Sequence, residues 1–406
     1  MGGIGKKWVL EGGSELDHTG IIYGKTINIE SMKDRINVLH VADKFGVEGS
    51  SVHGVSRLFS WWFPRFNAEK FNVELVGLRE QSEASKNLEG KSIEIKNLGR
   101  NKFDPLTCKD IYQKVKKSRF DVIHLHGYGS SNFGRLASLI SDTKVIIHEH
   151  FVDPSVPFYQ RIADYVLKSS IDYGIAVSES VKDFMKKNRY IPEDKIEIIY
   201  NGAPLGEFRK LSKKEIKREK VRWNIPQNYS VVGTVGRLDE QKGVKFFIEA
   251  ANEVKRNIEE VKFVVVGDGP LTDELKSKAR SFGIEKSVVF TGYQSDVARV
   301  QSMFDVQVFP SLWEGTPLTL FEAMSMGVPI VSTPVDGLGE VLQDKRNALL
   351  VPTKNSKVLA HNIRRLIEKP SLSKELSNQA KKESSKYSIK KTVERLQKVY
   401  KIVCKN

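Results

Sequence analysis

Short apolar runs alternate with longer amphipathic segments from residue 37 to the C-terminus. The runs in the first half predict strands at residues 37–42, 73–78, 121–126, 144–149, 173–178 and 196–200. Those in the second half predict strands at residues 231–236, 262–267, 288–292, 306–310 and 329–333. These runs are rich in β-branched residues and apolar on both faces, which is typical of parallel strands with helices packed on both sides.

The alternation of strands and helices predicts an α/β fold made of two doubly wound parallel sheets. Glycine and proline in NGAPLGEF (residues 201–208) indicate the join between two domains, which we place at residues 35–203 and 204–386. Residues 1–34 show neither helical nor strand periodicity and are treated as an N-terminal extension. Ligands bind at the carboxyl ends of the strands in such sheets, so the loops after strands are the places to look for chemistry.

The composition narrows the class of protein. The chain has 406 residues, of which 40% are apolar and 28% charged, a balance typical of a globular protein with two domains. No apolar run approaches the ~18–20 residues of a membrane-spanning helix, so an integral membrane protein is excluded, and no secretory signal pattern is visible. The low cysteine content fits a reducing cytoplasm, which is the expected location. With only two cysteines, Cys108 and Cys404, a disulfide scaffold and a cysteine-based zinc site are excluded.

A formal net charge of +15 is concentrated in two segments. Residues 209–222 hold eight basic and two acidic residues, and residues 369–406 hold eleven basic and three acidic residues. Both have the pattern of exposed helices, and three interpretations stay open: solvated helix faces, attraction to anionic lipid head groups, and nucleic-acid binding. Nucleic acid is disfavoured because no glycine-aromatic pattern for base stacking accompanies the charge.

Two loops after predicted strands carry candidate anion-binding groups. The first strand leads into ADKFGVEGSSVHG, where Gly46 and Gly49 permit either a structural turn or a close approach to a ligand. The strand at residues 231–236 leads into RLDEQKG, which places Arg237 and Lys242 on one loop. A guanidinium and an ammonium there could neutralise a diphosphate, and two exposed basic residues on a loop are the simpler alternative.

The segment at residues 309–340 is the most informative. A helix is expected to begin with Thr316 as its N-cap and Pro317 at its first position, where the missing N–H of proline has no intrahelical partner. The amides of Leu318 and Thr319 then lie at the positive end of the helix dipole, which favours a bound anion.

Acidic side chains stand beside these cationic groups. Glu314 lies in the loop before that helix and Glu322 lies on the helix itself. A carboxylate can accept hydrogen bonds from vicinal hydroxyls, so we assign Glu314 to a sugar and Glu322 to a nucleoside ribose, with a plain surface role for Glu322 as the alternative. In the loop GDGPL, Asp268 either binds a polar ligand or closes a glycine-rich turn.

Histidines cluster at the ends of two predicted strands of the first domain. DVIHLHGYGSSN and KVIIHEHFVDP contain His124, His126, His148, Glu149 and His150. Three interpretations stay open: a metal site, ordinary polar or core histidines, and a ligand-facing side chain, for which His150 is the best candidate.

The segment RLFSWWFPRF (residues 57–66) combines five aromatic residues with two arginines. Packing of the first helix against the core is one account of it. Contact with an acceptor, with a lipid-linked acceptor or with the membrane interface is the other.

Taken together, these segments resemble the retaining nucleotide-sugar glycosyltransferases of family 4, which have the GT-B fold. The resemblance runs from about residue 37 to the C-terminus and is strongest between residues 231 and 340. GRL-x3-KG together with E-x7-E in one chain is a specific combination. The motifs occur in the family's order: the glycine loop around Gly49, DVIHLH, a histidine after the fourth strand, AVSES, YNGAP, GRLDEQKG, VVGDGP, FTGY, FPSLWEGTPLTLFEAMSMGVPIV and GLGE.

The resemblance implies two Rossmann-like domains facing each other across a cleft, with residues 387–406 forming a helix that returns to the first domain. It implies no metal and no other cofactor, because Arg, Lys and a helix terminus supply the positive charge. The implied catalytic residues are Arg237 and Lys242 on the donor phosphates, Glu314 on the transferred sugar and His150 near its hydroxymethyl end. The implied donor-binding residues are Gly49, Gly236, Gly267, Asp268, Gly269, Tyr293, Gly315, Thr316, Leu318, Thr319 and, on the ribose, Glu322.

The function that this resemblance implies is transfer of a sugar from a nucleoside-diphosphate sugar to a hydroxyl acceptor, with retention of configuration. The expected setting is polysaccharide, cell-envelope glycan or glycolipid synthesis. The expected partners are the donor, a glycan or lipid-linked acceptor and, as a further candidate, an anionic membrane surface; no nucleic acid is expected. The alternatives are a nucleotide-sugar epimerase or phosphorylase of the same fold and a non-enzymatic basic scaffold.

Overall fold

The structure, a computed structural model, describes residues 21–22, 25–26, 35–46, 54–89 and 93–405. Two short strands, β1 (Ile21–Ile22) and β2 (Lys25–Thr26), pair in antiparallel fashion within the predicted N-terminal extension. The remainder of that extension lies outside the described residues, and so does the predicted donor-binding residue Gly49.

The first sheet has seven parallel strands in the order β5-β4-β3-β6-β7-β8-β9. The strands are β3 (Ile36–Ala42), β4 (Phe71–Gly77), β5 (Ile95–Asn97), β6 (Val122–His126), β7 (Lys144–Glu149), β8 (Tyr173–Ala176) and β9 (Ile196–Ile198). The helices that accompany them are α1 (Gly54–Trp62), α2 (Glu83–Glu89), α3 (Leu106–Ser118), α4 (Tyr128–Ser138), α5 (Phe158–Val166) and α6 (Glu179–Asn188).

The second sheet has six parallel strands in the order β12-β11-β10-β13-β14-β15. The strands are β10 (Ser230–Val235), β11 (Val261–Val266), β12 (Val288–Gly292), β13 (Val306–Phe309), β14 (Ile330–Ser332) and β15 (Leu349–Leu350). The helices after the domain join are α7 (Lys213–Arg222), α8 (Val244–Lys255), α9 (Thr272–Ser281), α10 (Val297–Gln301), α11 (Leu318–Met326), α12 (Asp336–Val341), α13 (Ser356–Glu368) and α14 (Pro370–Ser384), followed by the last helix, α15 (Ile389–Val403).

The predicted pair of doubly wound parallel sheets is confirmed. Every predicted strand is present, because long apolar β-branched runs are buried on both faces of each sheet. Two edge strands, β5 and β15, were not predicted, since three and two residues are too few to show a period. Among the described residues, no helix is long and apolar enough to cross a membrane.

The aromatic segment at residues 57–66 is part of the core. Phe59, Trp61 and Trp62 are buried, and the indole of Trp62 stacks on the imidazole of His148 with ring centres 5.5 Å apart. The first account of this segment, core packing of α1, is therefore correct. Membrane contact through Trp61 and Trp62 is wrong, because Trp62 is fully buried and Trp61 is only 6% exposed.

The basic segment after the domain join forms α7, which begins with a reciprocal cap. Ser212 Oγ accepts from the amide of Glu215, and the carboxylate of Glu215 accepts from the amide of Ser212. Not all of this helix is solvated, because Lys220 is buried and its Nζ donates to the carbonyls of Gln227 and Tyr229. The exposed-helix interpretation therefore holds for only part of the segment.

The last helix, α15, lies against the first sheet. Tyr400 of α15 is fully buried, and its ring stacks on Phe66 with ring centres 6.0 Å apart. The β-strands of the two sheets fall at residues 36–198 and 230–350, while the domain limits of 35–203, 204–386 and 387–406 stay a prediction.

Gly233 in β10 offers a test of core packing. A Cβ atom added there would overlap the ring of buried Phe304, so Gly233→Ala should destabilise the fold by about 1–3 kcal/mol through overpacking. Gly206→Ala is the matched control, because a Cβ atom at Gly206 meets nothing within 4 Å. The urea midpoint should fall for the first variant and stay close to that of the parent for the second; equal midpoints would contradict the packing.

Candidate functional site

The loops after β10 and β13 form the centre of the site. These strands are direct neighbours in the second sheet, with Val232 paired to Val306, so their carboxyl-end loops lie side by side. Lys242 from the first loop places its Nζ 2.5 Å from Oε1 of Glu314 in the second. The structure thus joins two of the predicted catalytic residues in one ion pair.

Glu314 is held by residues that the sequence analysis missed. Its side chain is buried and accepts from Ser311 Oγ at 2.9 Å and from Gln241 Nε2 at 3.3 Å. Its amide donates to Oδ2 of Asp336 at 2.7 Å. Burial raises the pKa of Asp336, which opens α12 just after β14. Ser311 and Asp336 both lie within the segment 309–340, so the available signal was their position after strands.

Arg237 reaches solvent from the same loop as Lys242. Its side chain is more than one third exposed, and Nε lies 3.7 Å from Oδ2 of Asp239. The neighbouring Gly236 donates its amide to the carbonyl of Val266, the last residue of β11. Arg237 is therefore a cationic group with room to contact a ligand.

The loop after β11 is a tight turn. The carboxylate of Asp268 accepts from the amide of Gly269 at 2.7 Å and from Thr272 Oγ1 at 2.8 Å, and the Asp268 carbonyl accepts from the amide of Leu238. Gly267 donates to the carbonyl of Gly292. Of the two interpretations of Asp268, the geometry favours closure of the turn. Tyr293, which follows β12, is exposed.

Helix α11 begins one residue later than predicted. Its N-cap is Pro317, with φ −67° and ψ 133°, and the N-cap role assigned to Thr316 is wrong. Thr316 Oγ1 instead donates to the carbonyl of Val177 in the first domain and caps no amide of α11. Leu318 and Thr319 are the first two helical residues, so their amides still lie at the helix N-terminus.

Glu322 is fully buried on α11, so its interpretation as a surface acid is wrong. Arg57 of α1 places Nη1 2.7 Å from Oε1 of Glu322. This contact is a charge pair without hydrogen-bond alignment, and neither oxygen of Glu322 accepts a hydrogen bond from the described residues. Burial raises the pKa of Glu322, and the Arg57 charge opposes that shift. A buried carboxylate without hydrogen bonds is rare in a folded protein and calls for an explanation.

The two domains touch beside these residues. A Cβ atom on Gly315 would overlap the backbone carbonyl of His150, so only glycine permits this approach. Asn201 Nδ2 donates to the carbonyl of Thr316 at 3.1 Å. The contact brings His150, the predicted residue of the first domain, next to the loop that carries Glu314.

Glu340 makes a second bridge between the domains. Its carboxylate accepts from the amides of Glu179 and Ser180 at the start of α6 and from the hydroxyl of Tyr200. An acid at a helix N-terminus is stabilised by the unpaired amides and the helix dipole. Burial and the bond to Glu340 raise the pKa of the Tyr200 phenol.

Five histidines and one tyrosine form a continuous chain of contacts in the first domain. His150 Nε2 lies 3.0 Å from His126 Nδ1, and His126 Nε2 lies 3.0 Å from His40 Nδ1. Tyr400 OH joins His40 Nε2 at 3.1 Å to His124 Nδ1 at 2.7 Å, and His124 Nε2 lies 3.1 Å from His148 Nδ1. The chain runs from the core to the domain contact at His150.

Sequence reasoning missed His40 and Tyr400. His40 pairs directly with His124 across β3 and β6, so the register places the two side chains on one face. Residues two apart on a strand also share a face, as His124 and His126 do. No local pattern indicates Tyr400, which comes from the last helix.

Burial keeps these histidines neutral. It lowers the pKa of His40 to about 3 and lowers the pKa of His124, His126 and His148 well below the usual range. Two triads, His40–His124–His126 and His126–His148–His150, have ring nitrogens close enough for a metal ion. The N···N separations of 3.0–3.1 Å are also those of hydrogen bonds between neutral rings. The core-histidine account fits His124, His126 and His148, whereas His150 is only half-buried.

Two family profiles match the chain. Residues 54–207 match Glycosyltransferase Family 4 and residues 215–383 match Glycosyl transferases group 1, so that together they span most of the sequence. A relative from Escherichia coli, UDP-Gal:alpha-D-GlcNAc-diphosphoundecaprenol alpha-1,3-galactosyltransferase, is 26% identical over 320 residues, which cover 73% of this chain and 82% of the relative. Alpha-D-kanosaminyltransferase of Streptomyces kanamyceticus is 25% identical over 297 residues, 68% of this chain and 75% of that protein.

A solved structure shares the fold. The crystal structure of Anabaena Alr3699/HepE in complex with UDP superposes with a TM-score of 0.77 at 18% identity, covering 89% of this chain and 99% of that one. At this level of identity the likeness concerns the fold, and it confirms the predicted GT-B arrangement of two facing α/β domains.

The buried histidines predict an acid-sensitive fold. Each histidine that stays neutral when folded and binds a proton when unfolded removes about 1.4 kcal/mol of stability per pH unit. The stability that these neutral histidines contribute is fully present above about pH 6.5, the pKa of histidine in the unfolded chain. It is lost as the pH falls toward the lowered pKa in the folded protein, which is about 3 for His40. The free energy of unfolding should therefore fall between pH 6.5 and pH 4.

The comparison of two variants isolates this effect. His40→Gln should reduce the slope of stability against pH, and His361→Gln should not, because His361 is exposed on α13. Buried Glu322 acts with the opposite sign, since its pKa is raised, but it is common to all three proteins. Urea unfolding at several pH values measures the slopes, and a His40→Gln slope equal to that of the parent would refute the assignment.

Proposed function

The chain belongs to the glycosyltransferases of family 4 and group 1, and from that membership we propose that it transfers a hexosyl group from a nucleoside-diphosphate sugar to an acceptor hydroxyl, retaining the anomeric configuration and using no metal. The donor occupies the carboxyl ends of β10 and β13, and the acceptor approaches from the first domain. Lys242, Glu314 and His150 then surround the transferred sugar.

Glu322 is the observation that carries this proposal. A buried carboxylate that accepts no hydrogen bond from the described residues has two oxygens available for hydroxyl donors. The vicinal hydroxyls of a ribose match that acceptor pair. The charge of Arg57 beside this carboxylate opposes the rise in pKa that burial causes.

The positive groups for the diphosphate come from three sources. Arg237 is partly exposed, Lys242 lies on the same loop, and the first amides of α11 lie at the start of that helix. In the ligand-free protein Glu314 neutralises Lys242. A bound diphosphate would pair with Lys242 in place of Glu314. The carboxylate of Glu314 could then accept a hydrogen bond from a hydroxyl of the sugar.

The proposed reaction breaks the bond between the anomeric carbon and the diphosphate oxygen. Arg237, Lys242 and the α11 amides stabilise the negative charge that develops on the leaving group. The acceptor hydroxyl attacks the oxocarbenium-like centre on the same face, and its proton passes to the departing diphosphate. This route needs no covalent intermediate on a carboxylate.

The comparisons support a uridine donor and a lipid-linked acceptor. The Escherichia coli relative is named for UDP-Gal and for a diphosphoundecaprenol-linked acceptor, and Anabaena HepE has been crystallised with UDP-glucose. An epimerase, a phosphorylase or a basic scaffold are the alternatives. Formation of a glycoside that depends on an added acceptor distinguishes transfer from each of them.

Loss of either cation should reduce turnover with saturating donor. Arg237→Ala and Lys242→Ala each remove a group that stabilises the leaving diphosphate, so we expect a fall in kcat of roughly a hundredfold or more. Lys245→Ala is the matched control, three residues further on in α8.

The assay follows the product by NMR in EDTA, where the parent should form product with the donor's anomeric configuration. Unchanged kcat in both variants, an inverted product or a complete loss in EDTA would contradict the mechanism.

A deoxy nucleotide distinguishes a ribose contact of Glu322 from a general loss of structure in the Glu322 variant. If its carboxylate accepts from the ribose 2′-hydroxyl, the parent should bind UDP more tightly than 2′-deoxy-UDP by roughly tenfold, the effect of one charge-assisted hydrogen bond of ~1.5 kcal/mol. Glu322→Gln should lose most of that discrimination. Calorimetry on the four combinations gives the coupling, and a variant that discriminates as well as the parent would disprove the ribose contact.

A further inference from the structure

Helix α5 has its polar side inward and its apolar side outward. Its buried residues are Gln160 and Asp164. Its exposed face carries Phe158, which is 78% exposed, and Val166, which is 67% exposed, with Ile162 between them. A surface helix in water normally shows the reverse arrangement. This inversion indicates that the outer face of α5 meets something other than water.

The buried side of α5 is fixed by ion pairs. Asp164 lies 2.7 Å from Arg135 of α4 and 2.5 Å from Arg189, and all three side chains are fully buried. Arg189 is also paired with Glu149 at the end of β7, at 2.6 Å. Rolling α5 to bury its apolar residues would leave Arg135 and Arg189 as buried charges without Asp164, which is strongly unfavourable. The apolar face is therefore held outward.

The apolar surface extends beyond the helix. Phe103, which is 68% exposed, lies in the loop after β5, and its ring contacts that of Tyr159 in edge-to-face geometry with centres 5.6 Å apart. We define the α5 face by its six exposed apolar residues: Phe103, Phe158, Tyr159, Ile162, Tyr165 and Val166. Several exposed aromatic and aliphatic side chains on one face are typical of an interaction surface.

Cations stand at both ends of the α5 face. Lys102 Nζ lies over the rings of Phe103 and Tyr159, and Lys168 Nζ lies 4.2 Å from the ring centre of Tyr165. Arg161 is exposed on α5 itself. The acid nearest in sequence to Phe103 is Asp104, which is paired with Arg100. The side chains of Lys102, Arg161 and Lys168 therefore give the α5 face a positive rim.

We propose that the α5 face docks this protein on an anionic lipid bilayer, with the aromatic and aliphatic side chains in the interface and the rim cations on the head groups. Aromatic rings flanked by lysine and arginine suit the boundary between head groups and acyl chains. A second copy of the chain is the less favourable occupant, because a twofold axis would bring these cations against each other. The loop at residues 150–157 begins with His150 at the cleft and leads directly into α5. Docking through the α5 face would therefore place the bilayer on the side of the cleft from which the acceptor is proposed to enter.

Vesicle flotation tests this surface without reference to activity. The full chain is mixed with vesicles of phosphatidylcholine alone or of phosphatidylcholine with phosphatidylglycerol. The parent should float with the anionic vesicles, and Phe158→Ser/Ile162→Ser/Val166→Ser should partition at least tenfold less. Val221→Ser/Phe282→Ser is the matched control, because Val221 is as exposed as Val166 but lies on α7. Lys102→Gln/Lys168→Gln should reduce the preference for anionic over neutral vesicles.

Several outcomes would overturn the proposal. They are equal flotation of the triple variant and the parent, equal flotation of the parent on neutral and anionic vesicles, and a parent dimer that the triple variant disperses while neither binds vesicles. The single change Val166→Ser, expected to act in the same direction with a smaller loss, guards against misfolding of the triple variant. UDP binding, measured in parallel, keeps a failure of the proposed function separate from a failure of docking.

Discussion

The close approach of two backbones at Gly315 and His150 is the constraint on which the site depends. No side chain fits between them, because a Cβ atom on Gly315 would overlap the carbonyl oxygen of His150. The two sheets therefore meet at their carboxyl ends, where parallel strands present their loops. Glu314 is positioned next to a residue of the other domain, and the bonds of Thr316 to Val177 and of Asn201 to Thr316 hold the same contact.

Around that contact, charged groups are paired across elements instead of being left in water. Lys242 pairs with Glu314 between two loops, and Arg57 pairs with Glu322 between two domains. Under the proposed function, each pair joins a cation and an acid that a bound nucleotide sugar would separate. The ligand-free protein thus keeps these charges paired, and a buried charge without its partner would be strongly destabilising.

The sequence was sufficient for the sheets and for the identity of the loops, since long β-branched runs report burial directly. It was insufficient wherever the position or the bonding of a side chain depends on a residue far away in the sequence. Threonine is a common N-cap residue, yet the hydroxyl of Thr316 donates to the carbonyl of Val177. Glu322 pairs with Arg57 of the other domain, and the histidine chain includes Tyr400 of the last helix. Trp61 and Trp62 were ambiguous because aromatic residues suit a core and an interface equally.

Buried ion pairs in the first domain determine the orientation of α5. In most α/β domains an outer helix is oriented by apolar contacts with the sheet, so its polar side faces water. Here Asp164 is oriented by Arg135 and Arg189, and Arg189 is anchored on Glu149, the last residue of β7. The same strand end leads directly into His150. The end of β7 therefore links the contact between the domains, made by His150, to the ion pairs that hold the apolar surface of α5 outward.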